Sequence, residues 1–98
     1  MSSEQAKKWG FATKAIHGGY SPNAAGALIT PIYQTSTYRF SSAEQGARRH
    51  RFEEDGYIYT RTGNPNSTEL EQKLALLEGG EAAVATASGM GAITSAYW

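Results

Sequence analysis

Two short stretches of this sequence carry residue types that grip an anion. In Gly56 to Pro65, G-Y-I-Y-T-R-T-G-N-P, Tyr59 and Arg61 stand two apart just before a turn. In extended chain such residues project to the same side, so a phenol donor and a guanidinium fork would share one target, and phosphate or carboxylate suits both. In the second stretch, an apolar run from Ala82 to Thr86 leads through Ser88, Gly89, Met90 and Gly91 into an apolar helical pattern. Free backbone N–H groups converge where a strand gives way to a helix, and phosphate fits there above all. Each stretch also has a plainer reading. Tyr57 and Tyr59 would cover apolar surface while Arg61 lies in water, and the glycines would serve packing only. The second stretch lacks the Lys-Ser/Thr ending of a phosphate-binding loop, and its glycine spacing is not the dinucleotide fingerprint. Nucleoside triphosphates and dinucleotides are therefore disfavoured.

Other chemistry is poorly supported. The chain has no cysteine, which excludes a disulfide scaffold, a thiolate metal site and a cysteine nucleophile. His17 and His50 stand far apart without clustered ligands, which disfavours a metal site and suits surface or hydrogen-bonded histidines. Lys7, Lys8, Lys14 and Lys73 all have polar surroundings in sequence, so none has the apolar setting that depresses a lysine for covalent chemistry. Arg48-Arg49-His50-Arg51 followed by Glu53-Glu54-Asp55 reads as two solvated charge blocks that compensate one another. Nine basic and nine acidic residues balance overall, leaving no electrostatic footprint for nucleic acid or an anionic membrane. No signal-peptide core and no run near ~18 apolar residues is present, and the cytoplasm is the simplest address.

The elements that would position these residues follow from pattern. Residues 1 to 10 are polar and aperiodic and read as a mobile tail. Phe11 to Ile16 is briefly apolar, and the loop chemistry of Gly18-Gly19 and S-P-N-A-A-G follows. Ala27 to Phe40 is rich in β-branched and aromatic residues, but Pro31 argues for an extended arm over a surface rather than a central strand. Ser41 or Ser42 caps a short helix within 41–51. The strongest helix begins with Asn64 as N-cap and Pro65 at its first position, carries Leu70, Leu74 and Leu77 on one face, and stops at Gly79-Gly80. Ala82 to Thr86 has strand length, and a further helix starts near Ser88.

That alternation predicts an α/β domain with a parallel sheet. At 98 residues one small domain is allowed, burying roughly 60–65% of its unfolded surface. Only one convincing central strand is present, and the apolar pattern runs to Trp98 without a stop. The expectation is therefore the opening segment of a larger protein: an arm over 1–60, then the start of a large domain over 61–98. A naturally short, noncatalytic protein that binds a partner through its arm is the alternative.

G-F-A-T-K-A-I-H, P-I-Y-Q-T-S-T-Y, G-Y-I-Y-T-R-T-G-N-P, L-E-G-G-E-A and A-S-G-M-G-A-I occur here in the order and spacing of one family. From about Gly10 to Trp98 the chain resembles the N-terminal segment of the pyridoxal-phosphate enzymes of cysteine and methionine metabolism. The resemblance implies a type I aminotransferase fold, with pyridoxal 5'-phosphate as cofactor and a homotetramer built from dimers with shared active sites. It implies that Ser88, Gly89 and Met90 hold the cofactor phosphate, and that Tyr59 and Arg61 reach the phosphate of a neighbouring subunit's cofactor. The implied reaction is elimination of methanethiol from methionine, leaving 2-oxobutanoate and ammonia, with sulfhydrylation of O-acetylhomoserine as the alternative. The family's Schiff-base lysine has no counterpart in these residues, so the catalytic residues are unknown and the segment alone is not expected to catalyse. Asn66 departs from the family, which continues Asn-Pro with threonine, and the helix is expected to survive the change.

Overall fold

The computed structural model describes residues 3–98 and contains five helices: α1 (Ser3–Lys7), α2 (Phe11–His17), α3 (Ala43–His50), α4 (Pro65–Glu78) and α5 (Gly89–Tyr97). Three of them open as their sequences predict. The Ser42 hydroxyl accepts from Gln45 N at 3.1 Å to start α3, Asn64 Oδ1 accepts from Asn66 N at 2.8 Å to start α4, and Ser88 Oγ accepts from Gly91 N at 3.0 Å to start α5. Each satisfies one of the amides that a helix start leaves without an internal partner. Gly79, in the left-handed region at φ 66°, ends α4 where the leucine pattern stops.

The first residues differ from expectation. The polar lead forms α1, with Lys7 Nζ on Glu4 Oε1 at 2.8 Å, and the Trp9 ring meets His17 edge-on at 6.3 Å between centroids. Helix α2 then packs on α4. Gly19, at φ 74°, passes so close to α4 that a Cβ would sit 2.6 Å from the Glu69 carbonyl oxygen. Lys73 reaches from α4 to the Ile16 carbonyl at 3.5 Å and to Glu69 at 3.7 Å.

Residues 27–40 are extended without forming a ladder, as Pro31 suggests. Their backbone pairs with the later chain at an isolated antiparallel bridge, Thr37 to Tyr59. There Thr60 N donates to Ser36 O at 2.9 Å and Tyr38 N to Ile58 O at 3.1 Å. Ala82 to Thr86, expected as a central strand, is not one in this structure. A strand exists only as one side of a ladder, and no described segment pairs with it. It is tied to α4 by Ala85 N, which donates to Glu71 Oε1 at 2.9 Å.

No hydrophobic side chain is buried among the described residues. The accessible surface is 7866 Å², against roughly 5,500 Å² for a folded monomer of this mass. The radius of gyration is 15.4 Å, against about 12.6 Å for a compact domain of this length. About half of the unfolded surface is removed from water instead of the expected share, because the Leu70–Leu74 face and α5 have nothing packed over them. Among the described residues no helix is long and apolar enough to cross a membrane. The 98 residues alone should therefore show helical circular dichroism that melts without a cooperative transition, and amide protection near unity throughout. A sharp, concerted transition with protected amides would contradict this.

Candidate functional site

Tyr59 and Arg61 come together, by a route other than the extended chain their spacing suggests. Thr62 N and Gly63 N both donate to Tyr59 O, at 2.9 and 3.1 Å, so the backbone turns at Tyr59. The turn folds Arg61 back until its guanidinium carbon lies 5.4 Å from the Tyr59 ring centroid, in cation–π range. Among the described residues Arg61 has no carboxylate within ion-pair distance, whereas Arg48, Arg49 and Arg51 each do. A guanidinium held beside a phenol has the donor chemistry that suits a phosphate or carboxylate.

The turn borders an open trough of about 510 Å³, whose other wall is the arm from Tyr33 to Ser36. Thr60 fastens the two walls through its amide on Ser36 O and its hydroxyl on Thr35 O. Asn64, 6% exposed, sits beneath them, with Nδ2 on Tyr33 O at 2.9 Å and on Thr60 Oγ1 at 3.3 Å.

Behind the turn, α3 and the 52–57 loop form an electrostatic support. Glu54 accepts from Gln45 Nε2 at 2.9 Å and Arg48 Nε at 3.0 Å, and pairs with Arg49 at 3.5 Å. Arg51 grips Glu53 through two nitrogens at 2.8 and 3.0 Å. The charge blocks thus do compensate one another, in a specific geometry. Arg49 lies under the Phe40 ring, 5.8 Å from its centroid, and donates to Tyr57 O at 3.3 Å, two residues before Tyr59. The Tyr57 hydroxyl continues the chain of contacts to Thr68 on α4 at 3.1 Å.

Ser88, Gly89 and Met90 form the second candidate cradle. The Ser88 side chain is occupied by Gly91 N, and its carbonyl accepts from Ala92 N at 3.1 Å. The amides of Gly89 and Met90 have no acceptor among the described residues, and a Cβ placed on Gly89 would meet nothing within 4 Å. Open approach to two free amides at the positive end of a helix fits a phosphate. Among the described residues no hydrogen bond or ion pair joins this cradle to the Tyr59–Arg61 turn, so the two candidate sites stand apart within this chain. The remaining candidates stay apart from both: His50 Nδ1 lies 2.7 Å from Gly46 O, and among the described residues no cluster of three or more His, Cys, Asp or Glu is placed to share an ion. Sequence reasoning missed Tyr33, Thr60 and Asn64 as site-builders. A Tyr, a Thr and an Asn of ordinary type give no signal of contacts some thirty residues away.

The model of the Cys/Met metabolism PLP-dependent enzymes matches residues 12–98. The chain belongs to that family. An L-methionine gamma-lyase of Porphyromonas gingivalis is 64% identical over 98 residues, covering 100% of this chain and 25% of the relative. An O-acetyl-L-homoserine sulfhydrylase of Corynebacterium glutamicum is 43% identical, covering 96% of this chain and 22% of the relative. A solved Campylobacter jejuni structure, described as an O-acetylhomoserine (thiol)-lyase with N'-pyridoxyl-lysine-5'-monophosphate, superposes with a TM-score of 0.86 at 39% identity, over 92% of this chain and 22% of that one. The chain thus spans about a quarter of the length of the curated relatives it matches, and it shares the fold of the corresponding segment in the family's solved members.

The carboxyl of Glu54 is held below the usual glutamate range, first by the Gln45 hydrogen bond and then by that of Arg48. Because the folded value is depressed, its contribution is whole above the ordinary glutamate value and is lost as pH falls through the depressed one. In the full-length protein, protection of Glu53 N, which bonds Arg48 O at 3.0 Å, should fall over that acid window once corrected for intrinsic exchange. Glu54→Gln should abolish the pH dependence, and its persistence in that variant would show that another group governs the loop.

Proposed function

We propose that this segment belongs to a cytoplasmic enzyme that eliminates methanethiol from methionine with pyridoxal 5'-phosphate, releasing 2-oxobutanoate and ammonia. The single observation that carries the reading is the high identity to L-methionine gamma-lyases across the whole chain, well above that to the sulfhydrylase. Bound pyridoxal phosphate would supply the electron sink that makes a sulfur leaving group at the γ-carbon expellable. In this proposal the residues of the chain bind and orient. Gly89 N and Met90 N, with Ser88 shaping the turn, would donate to the cofactor phosphate at the start of α5, and the Tyr59 hydroxyl and Arg61 guanidinium of another subunit would donate to the same phosphate. Ala82 to Thr86 takes its place in a parallel sheet, and the assembly is a homotetramer of dimers that share their sites. The separation of the two anion-binding halves within one chain supports the sharing. Sulfhydrylation of O-acetylhomoserine is the second reading, favoured by the close superposition on the Campylobacter structure.

The full-length protein should release methanethiol and 2-oxobutanoate from methionine faster than it converts O-acetylhomoserine and sulfide, and the reverse preference would select the second reading. Charge-assisted contacts contribute ~1.5–3 kcal/mol each, so Arg61→Ala should weaken cofactor retention by roughly one to two powers of ten. Mixing Arg61→Ala subunits with subunits lacking the cofactor-bonding lysine tests the sharing. In trans, one site of a mixed dimer collects both lesions and the other none, so activity returns; activity that stays low assigns the contact to a single subunit.

A further inference from the structure

The first turn of α4 holds a second asparagine whose side chain does nothing for its own helix. Asn64 already caps α4 by accepting from Asn66 N. The Asn66 side chain instead reaches across to the arm, where Nδ2 donates to Pro31 O and Oδ1 accepts from Tyr33 N, both at 2.8 Å. Those two backbone groups flank Ile32 on one edge of the extended chain. A residue of a parallel neighbouring strand makes the same pair of bonds, giving its N–H to the carbonyl before its partner and taking the N–H after it. The asparagine amide has donor and acceptor side by side as a peptide does, and here it replaces the missing strand. A hydroxyl at this place would have to donate and accept through one atom.

Its effect falls on Tyr33. The amide of Tyr33 is held by Asn66 and its carbonyl by Asn64, so both polar groups of one residue are fastened to the start of α4. Tyr33 lines the trough beside Tyr59 and Arg61, and Asn64 reaches on to Thr60 within the turn itself.

We propose that Asn66 is a positioning residue: by standing in for a strand beside Ile32, it sets the register of the arm against the Tyr59–Arg61 turn and so aims the Arg61 guanidinium. The inference rests on the phosphate reading of that turn. It concerns a residue that touches neither the cofactor nor the substrate.

The test uses the full-length protein resolved of its cofactor, with two readouts that do not involve turnover: hydrogen exchange at Tyr33 and Thr60, and titration with pyridoxal phosphate followed by fluorescence. Asn66→Ala should speed exchange at both amides by about tenfold and weaken pyridoxal phosphate binding by roughly fivefold. The binding loss should vanish when Arg61 is already alanine, because a residue that acts through Arg61 has nothing left to aim. If Asn66→Ala gives no soluble protein, Asn66→Ser is read in the same way. Unchanged exchange at Tyr33 overturns the clamp. Faster exchange with full binding, or with a loss that adds in full to that of Arg61→Ala, overturns the positioning role. Arg61→Ala without effect on binding overturns the phosphate reading instead, and exchange at Thr60 then decides whether the clamp reaches the turn.

Discussion

Extended backbone must find hydrogen-bond partners, and in this chain that requirement does what a hydrophobic core does elsewhere. With no buried apolar side chain among the described residues to collapse around, the course of the arm depends on polar groups that complete it, above all the two asparagines at the start of α4. Asn64 and Asn66 bond the arm at Pro31 and Tyr33, and Asn64 also bonds the turn at Thr60. The arm, the turn and the helix therefore meet at one point. The trough exists because that meeting keeps its two walls apart.

The support from α3 works by different physics. Glu54 collects an amide and two guanidinium groups, and the same Arg49 that faces it holds the Tyr57 carbonyl. Charge compensation is local, so the network leaves Arg61 outside it, and the neighbourhood of the turn does not neutralise its cation. A carboxylate in the trough would have paired with Arg61 and removed its use as an anion receptor. Phe52, 94% exposed at φ 58°, shows how tightly this loop closes, since an aromatic residue enters the left-handed region only when its flanking contacts impose it.

What could be read in the sequence was whatever depends on nearest neighbours. Ser42, Asn64 and Ser88 cap helices three residues or fewer from the amides they accept, and Gly79 ends α4 by its own backbone freedom. The family was legible for a related reason, since five words in order survive compression into sequence. Tyr59 and Arg61 were legible as a pair and not in their geometry: spacing gave neighbours, but the turn at Tyr59 is closed by Thr62 and Gly63, which lie beyond the spacing considered. The strand expected at Ala82 to Thr86 is unpaired among the described residues for a different reason: an apolar β-branched pattern states a preference, and pairing needs a second chain segment. Tyr33 and Asn66 were illegible as partners. Their contact spans 33 positions and joins a backbone amide to a side-chain oxygen, and neither end carries a pattern.

The two candidate anion sites are built from unlike material. The arm and turn are joined by hydrogen bonds in partial contact with water, so opening them exposes little apolar surface and carries only a small change in heat capacity. The α5 cradle stands on a helix whose Met90, Ile93 and Tyr97 are exposed, and any surface that covers them is held by the hydrophobic effect. Hydrophobic contacts weaken on cooling, while hydrogen bonds do not. Cold would therefore loosen the grip of α5 on its surroundings before it loosened the arm, and in the proposed shared site the two sides would lose order at opposite ends of the temperature scale.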